Sequence, residues 1–240
     1  MLKAVFFDAA GTLFEAREPV GHTYARIAAR HGVVADDAKV TAGFRRAFSS
    51  APSLAFGPGH DAMKLRAMER EWWRRLVRRS FEGLGAFDDF EAFFDELFSY
   101  FADPASWESV PEAQTVLRRL RDEGLRLGII SNFDHRLYRI LDGLGLSAWF
   151  DSVTISSEAG FAKPSLEIFA RALNTADVSP REALHVGDSE HMDVAGARAA
   201  GISAALVGPG IGRDCEELEN PARIASLASV IKVVQLLRFA

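Results

Sequence analysis

The chain has almost no cysteine: Cys215 stands alone among 240 residues, so no internal disulfide can form and the fold cannot depend on oxidation. It also has no apolar run long enough to span a bilayer. The opening MLKAVFFD reaches Asp8 too early for the apolar core of a secretory leader. These absences give the expectation of a reducing, cytoplasmic setting with no membrane partner. Positive charge is not in excess either. Lys and Arg number 28 against 33 Asp and Glu, a net charge of −5, so nothing draws the whole molecule to nucleic acid. Arg74, Arg75, Arg78 and Arg79 form a local basic run, but their spacing sets them opposite an apolar helix stripe, which predicts a solvated face. Six histidines are present, without the spacing of metal ligands. Internal repeats and low-complexity tracts are missing.

What is present is an ample hydrophobic fraction, 48%, enough for a large core, in a chain long enough for one domain carrying a smaller inserted one. A short β-rich run, Lys3 to Phe7, stops at Asp8 and is followed by the turn residues Gly11 and Thr12. Similar runs recur at Leu125–Ile130, ending at Ser131, at Ser152–Ser156, at Ala183–Val186, ending at Gly187 and Asp188, and at Ser203–Val207. Amphipathic stretches lie between them, marked by Val116, Leu117 and Leu120, by Leu137, Ile140, Leu141 and Leu144, and by Leu166, Phe169 and Leu173. A short strand and a helix are expected over Ile224–Leu237. Strands alternating with helices predict an α/β fold, a doubly wound parallel sheet covered on both faces.

Residues 18–103 break that rhythm. Val40, Phe44 and Phe48, then Met68, Trp72 and Leu76, then Phe87, Phe90, Phe94, Leu97 and Phe101 recur at helical spacing, and no strand pattern appears. This predicts a helical insertion whose aromatics form its own core. The expected division is 1–16 and 107–240 for the α/β core and 17–106 for the helical insertion, with Ser49–Gly59 a loop inside it.

In an open parallel sheet, ligands bind beyond the carboxyl ends of the strands. Asp8, Ser131 and Asp188 each close a proposed strand, so all three should meet at one crevice. Singly, each has an ordinary reading as a turn or capping residue. Jointly they suggest a site. The segments FFDAAGTLF, IISNFD, AKPSLEIF and HVGDSEHMDVAGARAAG, in that order, resemble the four motifs of the haloacid dehalogenase-like superfamily, from Lys3 to about Val207. The insertion sits where that family carries a helical cap, and the WWRRLV segment with the D-A-A first motif is similar to its hydrolase domain-containing branch.

The resemblance implies a magnesium-dependent hydrolase of a small phosphorylated metabolite, acting through an aspartyl-phosphate. By it, Asp8 is the nucleophile and Ser131, with Asn132 beside it, binds the phosphoryl group. Lys163 neutralises nucleophile and phosphoryl group, and Pro164 after it suits a helix start. Asp8, Asp188, Asp193 and the backbone carbonyl of Ala10 hold Mg2+, while Gly11 and Thr12 shape the turn around the phosphoryl group. Charge supports the metal independently. Each carboxylate pair at 4 Å costs roughly 4 kcal/mol at an effective dielectric near 20, which one lysine cannot offset and a hard divalent cation can.

Ala10 departs from the family pattern, which has a second aspartate there to protonate the leaving group and activate water. General acid–base catalysis is worth about 10²–10⁴ in rate. Four readings follow: a phosphatase with a good leaving group or an acid supplied elsewhere (Glu15, His22, His60 or Asp61); a phosphonoacetaldehyde-type hydrolase with Lys39 or Lys64 as Schiff base; a 2-haloacid dehalogenase; or a phosphate-binding regulatory protein without turnover. His135 and His191 are expected at the rim. Substrate choice is expected to lie in the cap near Phe56–Lys64, and the oligomeric state stays open between monomer and homodimer.

Overall fold

The computed structural model describes residues 1–208 and 220–239, so Cys215 lies outside the described residues. Its central sheet contains β1 (Ala4–Phe7), β4 (Arg126–Ser131), β5 (Ser152–Ile155), β6 (Ala183–Gly187), β7 (Ser203–Val207) and β8 (Ala222–Ile224). They are arranged β5-β4-β1-β6-β7-β8 and all pairs are parallel. Chain order runs outward from β1 to one edge and then from β6 to the other. The topological switch therefore lies between β1 and β6, where an open α/β sheet forms its crevice.

Each strand is short and apolar because both faces are covered. In β1, Val5 and Phe7 enter a core with α5 (Ala113–Asp122), α6 (Arg136–Gly143) and α10 (Val230–Phe239), whereas Ala4 and Phe6 enter a second with α8 (Leu166–Ala176) and α9 (Gly196–Ala199). The expected doubly wound architecture is present. Helix α8 begins after Ser165, however, so Pro164 precedes the helix instead of opening it.

Between β1 and β4 the chain builds a third core from α1 (Val20–Arg30), α2 (Asp37–Ser49), α3 (Ala62–Ser80) and α4 (Phe90–Tyr100). Asp36, Asp61 and Asp89 accept backbone N–H groups at the starts of α2, α3 and α4, fixing where each begins. The basic run of α3 is spent within this layer: Arg74 and Arg78 pair with Glu91, Arg75 with Glu71, and Arg79 donates to Ser50.

One element has no counterpart in the sequence pattern. β2 (Phe14–Ala16) and β3 (Trp107–Ser109) form an antiparallel ribbon, joining the outgoing and returning crossings between the layers. Three-residue strands are too short to declare a period of two.

Candidate active site

Parallel register sets the site. Phe7 pairs with Ile129 on one side and Val186 on the other, so Asp8, Ser131 and Asp188 all emerge at the same end of the sheet. The Asp8 amide donates to Val186 at 2.8 Å, holding the end of β1 against β6. Three carboxylates gather there: ligand oxygens of Asp8, Asp188 and Asp193 lie within 4.8 Å of one another.

Lys163 enters from the loop before α8 and is buried to 3% exposure. Its Nζ lies 2.8 Å from Asp8 Oδ1 and 2.5 Å from Asp193 Oδ1. Burial disfavours its charge, but Asp8 and Asp193 outweigh burial and raise its pKa above the ordinary lysine value. It stays an ammonium. Partial desolvation, reinforced by the charges of Asp8 and Asp193, pushes Asp188 up to about 6. The cluster thus carries more negative charge than Lys163 neutralises.

Asp193 sits on an irregular π-type turn, Glu190–Ala195. Burial would raise its pKa, yet Lys163 and His185 drive it well below the ordinary range. His185 Nε2 lies 2.9 Å from Oδ1, and the Ser189 amide donates to Oδ2 at 3.0 Å. Asp193 is therefore both a member of the acid cluster and the anchor of Lys163. Two glycines make the crowding feasible. A Cβ on Gly187 would come 2.2 Å from the Asp193 carboxyl carbon, and one on Gly11, at φ +86°, would come 2.5 Å from Asp188 Oδ2.

The remaining expected residues divide. Ser131 is buried at the cavity wall, and among the described residues no partner takes its hydroxyl, leaving it able to donate. Asn132 lines the cavity, and its carboxamide donates to the Lys163 carbonyl at 3.0 Å and accepts from the Lys163 amide at 2.7 Å, tying two loops together. Thr12, expected beside the phosphoryl group, is buried to 2% exposure in the turn that bonds its amide to Ala9 and does not line the cavity. Ala10 does line it.

A cavity of about 790 Å³ opens from these groups into the space beneath the four helices, within the usual range for ligand sites. Its cap walls run from Val20 to Phe101 and include no carboxylate, histidine or lysine among the described residues. Of the four expected acids only Glu15 reaches the cavity. His22 pairs with Asp37, His60 with the Phe56 carbonyl, and Asp61 caps α3. Lys39 and Lys64 are exposed and do not line it. Of the segment expected to carry specificity, Phe56–Lys64, no residue lines the cavity; Ser49 and Ala51–Leu54 do. The later part of the loop is used for docking: the Gly57 amide donates to Gly160, while Ser156 donates to the Leu54 carbonyl at 2.6 Å.

Sequence patterning missed a second polar cluster that fastens cap to core. Buried Asp134 is bridged by Arg136 at 2.8 and 2.7 Å and receives the Trp73 indole N–H at 2.6 Å, and Glu69 of α3 meets His135. Burial opposes ionisation of Asp134, but Arg136 prevails and lowers its pKa. His135 is thus a half-buried joint between layers and, like His191, is not among the residues lining the cavity.

Comparison with known proteins settles the family. Residues 2–201 match the family model described as haloacid dehalogenase-like hydrolase. The chain belongs to the haloacid dehalogenase-like hydrolase family. It is 38% identical over 212 residues to human haloacid dehalogenase-like hydrolase domain-containing protein 3, covering 86% of this chain and 82% of that one. It is 32% identical over 218 residues to a phosphoserine phosphatase from Thermus thermophilus, covering 83% and 86%. An L-2-haloacid dehalogenase structure superimposes with a TM-score of 0.73 over 98% of this chain and 99% of that one, at 21% identity, a likeness of fold. Within this haloacid dehalogenase-like hydrolase the four helices occupy the position of a cap over the sheet.

Proposed function

We propose that this hydrolase cleaves a small phosphorylated metabolite through an aspartyl-phosphate on Asp8. The observation that carries the reading is the cluster of Asp8, Asp188 and Asp193 around buried Lys163 at the mouth of the cavity.

The cluster fits a cation. Asp188 is pushed up to about 6 by desolvation first and then by the negative charges of Asp8 and Asp193, a cost that a hard divalent ion with oxygen ligands relieves. Asp8 and Asp188, with Asp193 alongside and the Ala10 carbonyl as a further donor, would hold Mg2+. When bound, it neutralises phosphoryl oxygens and the nucleophile's surplus charge. The protein's own groups do the rest. Asp8 presents an oxygen to phosphorus, Lys163 balances charge beside it, and Ser131 donates to a phosphoryl oxygen. Asn132 keeps Lys163 in place through its backbone, and the cap keeps bulk water from the seated group.

The competing readings rest on less. Halide displacement without metal has no use for two extra carboxylates at Asp188 and Asp193. A Schiff-base mechanism needs an amine at the cavity, and neither cap lysine lies there. A phosphate-binding protein without turnover rests on Ala10 alone. The test is phosphate release from a panel of phosphorylated metabolites with and without Mg2+, beside Asp8→Asn. Magnesium-dependent release that vanishes in Asp8→Asn is expected; tight phosphate binding with no release from any substrate would favour the regulatory reading instead.

A further inference from the structure

Eight of the sixteen residues from Val20 to Phe101 that line the cavity are aromatic. Phe101, Tyr24, Phe44, Phe48, Trp72 and Trp73 form an unbroken chain of contacts, with centroid separations of 5.8, 5.4, 5.6, 6.1 and 4.9 Å in that order, and all six line the cavity. The indoles offer surfaces instead of donors, because the Trp72 N–H is taken by the Pro52 carbonyl and the Trp73 N–H by Asp134. Apart from Asp8, Lys163, Asp188 and Asp193, the charged side chains at the cavity among the described residues are Glu15 and Arg136, and Arg136 is already paired with Asp134. The cap wall offers few side-chain hydroxyls, those of Tyr24, Ser49 and Ser53, with Ser49 already donating to the Arg46 carbonyl. A sugar or amino acid seated there would leave polar groups unpaired at about 1–3 kcal/mol each. Flat rings, by contrast, gain from stacked and edge-on contacts.

An independent observation narrows the chemistry. With Ala10 in place of an acid, the position two residues after the nucleophile cannot protonate a departing alkoxide, and of the acids expected to replace it only Glu15 lines the cavity. A phenol ionises near 10, as tyrosine does, whereas an alkanol ionises several units higher. A phenolate can leave unprotonated; an alkoxide needs help.

We propose that the substrate is a phosphate monoester of a bulky aromatic alcohol, its ring system seated on the Phe101–Tyr24–Phe44–Phe48–Trp72–Trp73 face. This rests on the phosphatase reading of Asp8. An Asp8 oxygen bonds to phosphorus as the ester P–O bond breaks, and that bond's electron pair leaves on the aryl oxygen. The phenolate takes a proton from solvent. Water then displaces the Asp8 carboxylate from phosphorus, keeping one proton on phosphate and returning one to solvent, so the sum is ester plus water giving phenol plus phosphate.

The test compares four substrates with Mg2+: 1-naphthyl phosphate, octyl phosphate, phosphoserine and acetyl phosphate. Acetyl phosphate has a good leaving group but nothing to fill the cavity, so it probes the chemistry of Asp8 alone. A kcat/KM for 1-naphthyl phosphate at least about a hundredfold above those for octyl phosphate and phosphoserine is expected. Phe48 is half exposed and sits in the ring chain between Phe44 and Trp72, and Phe48→Ala should raise KM for 1-naphthyl phosphate about fivefold more than KM for acetyl phosphate. Calorimetric binding of 1-naphthylphosphonate should weaken in the same variant. Acetyl phosphate cleaved while octyl phosphate or phosphoserine matches 1-naphthyl phosphate would overturn the aromatic assignment and leave the phosphatase standing. Failure to cleave acetyl phosphate as well would overturn both.

Discussion

Among single residues, Ala10 and Asp188 decide most. Ala10 borders the cavity, so a carboxylate there has space to face the substrate. Ala10→Asp should raise turnover of octyl phosphate by about 10²-fold or more, and that of aryl esters by less, because only the alkoxide needs its proton. A steady-state assay reads the ratio, and an equal gain on both esters would contradict the assignment of that position. Asp188 sets a pH signature. A carboxyl pushed up to about 6 holds its proton more tightly in the fold than in the unfolded chain, where 3.8 is ordinary. The metal-free protein therefore loses stability as pH rises through the interval between those values, with no further loss above it. In EDTA, Asp188→Asn should gain Tm over the parent progressively from pH 4 to 6 and then hold a constant lead; a lead that is the same at every pH would refute the shift. Asp8 and Asp188 were legible in the sequence because polar residues closing apolar strands stand out, whereas Lys163 and Asp193 were marked only by resemblance to the family's motifs. His185 carried a signal that spacing rules overlooked: a histidine inside a fully buried strand needs a partner, and Asp193 is that partner.

Secondary-structure elements show where sequence periodicity succeeds and where it stops. The helices and long strands announced themselves through period, and the central sheet followed. The β2–β3 ribbon and the cap fastenings did not, since they depend on which distant residues meet. Of the cap aromatics, Phe81, Phe87 and Phe93 do build the bundle core, Phe44 and Trp73 pack against it and also wall the cavity, and Phe48 and Trp72, expected in the core, wall the cavity alone; period cannot divide such a stripe. The fastening at Asp134 is open to a stability test. Asp134→Ala would leave Arg136, only 5% exposed, buried without its counter-charge. Breaking such a pair costs about 3–5 kcal/mol, which in a chain of this size is a fall of roughly 6–20 °C in Tm. Scanning calorimetry measures it, and an unchanged Tm would show that the pair contributes nothing to holding cap and core together.

For the molecule as a whole, the layers separate two tasks. The sheet end supplies Asp8, the Lys163 ammonium and the acid cluster, while the helices supply a wall without carboxylate, histidine or lysine among the described residues. In the proposed reaction, phosphorylation of Asp8 and its reversal make different demands: the first needs a good leaving group, the second an activated water. With 1-naphthyl phosphate, rapid mixing should show a burst of naphthol near one equivalent per site followed by slower turnover, with phosphorylated Asp8 accumulating. Linear release from the first turnover would mean that the second step is not the slow one.

The paired ribbon links these tasks mechanically. Because Phe14–Ala16 and Trp107–Ser109 are laced together by their backbones, the polypeptide passes out and back as one strap. Any tilt of the roof would swing Glu15 and Trp107, both facing the chamber, along with it. A guest that wedges the roof open would thereby reshape the doorway beside Asp8, so molecular size could be sensed at the reacting phosphorus without any contact there.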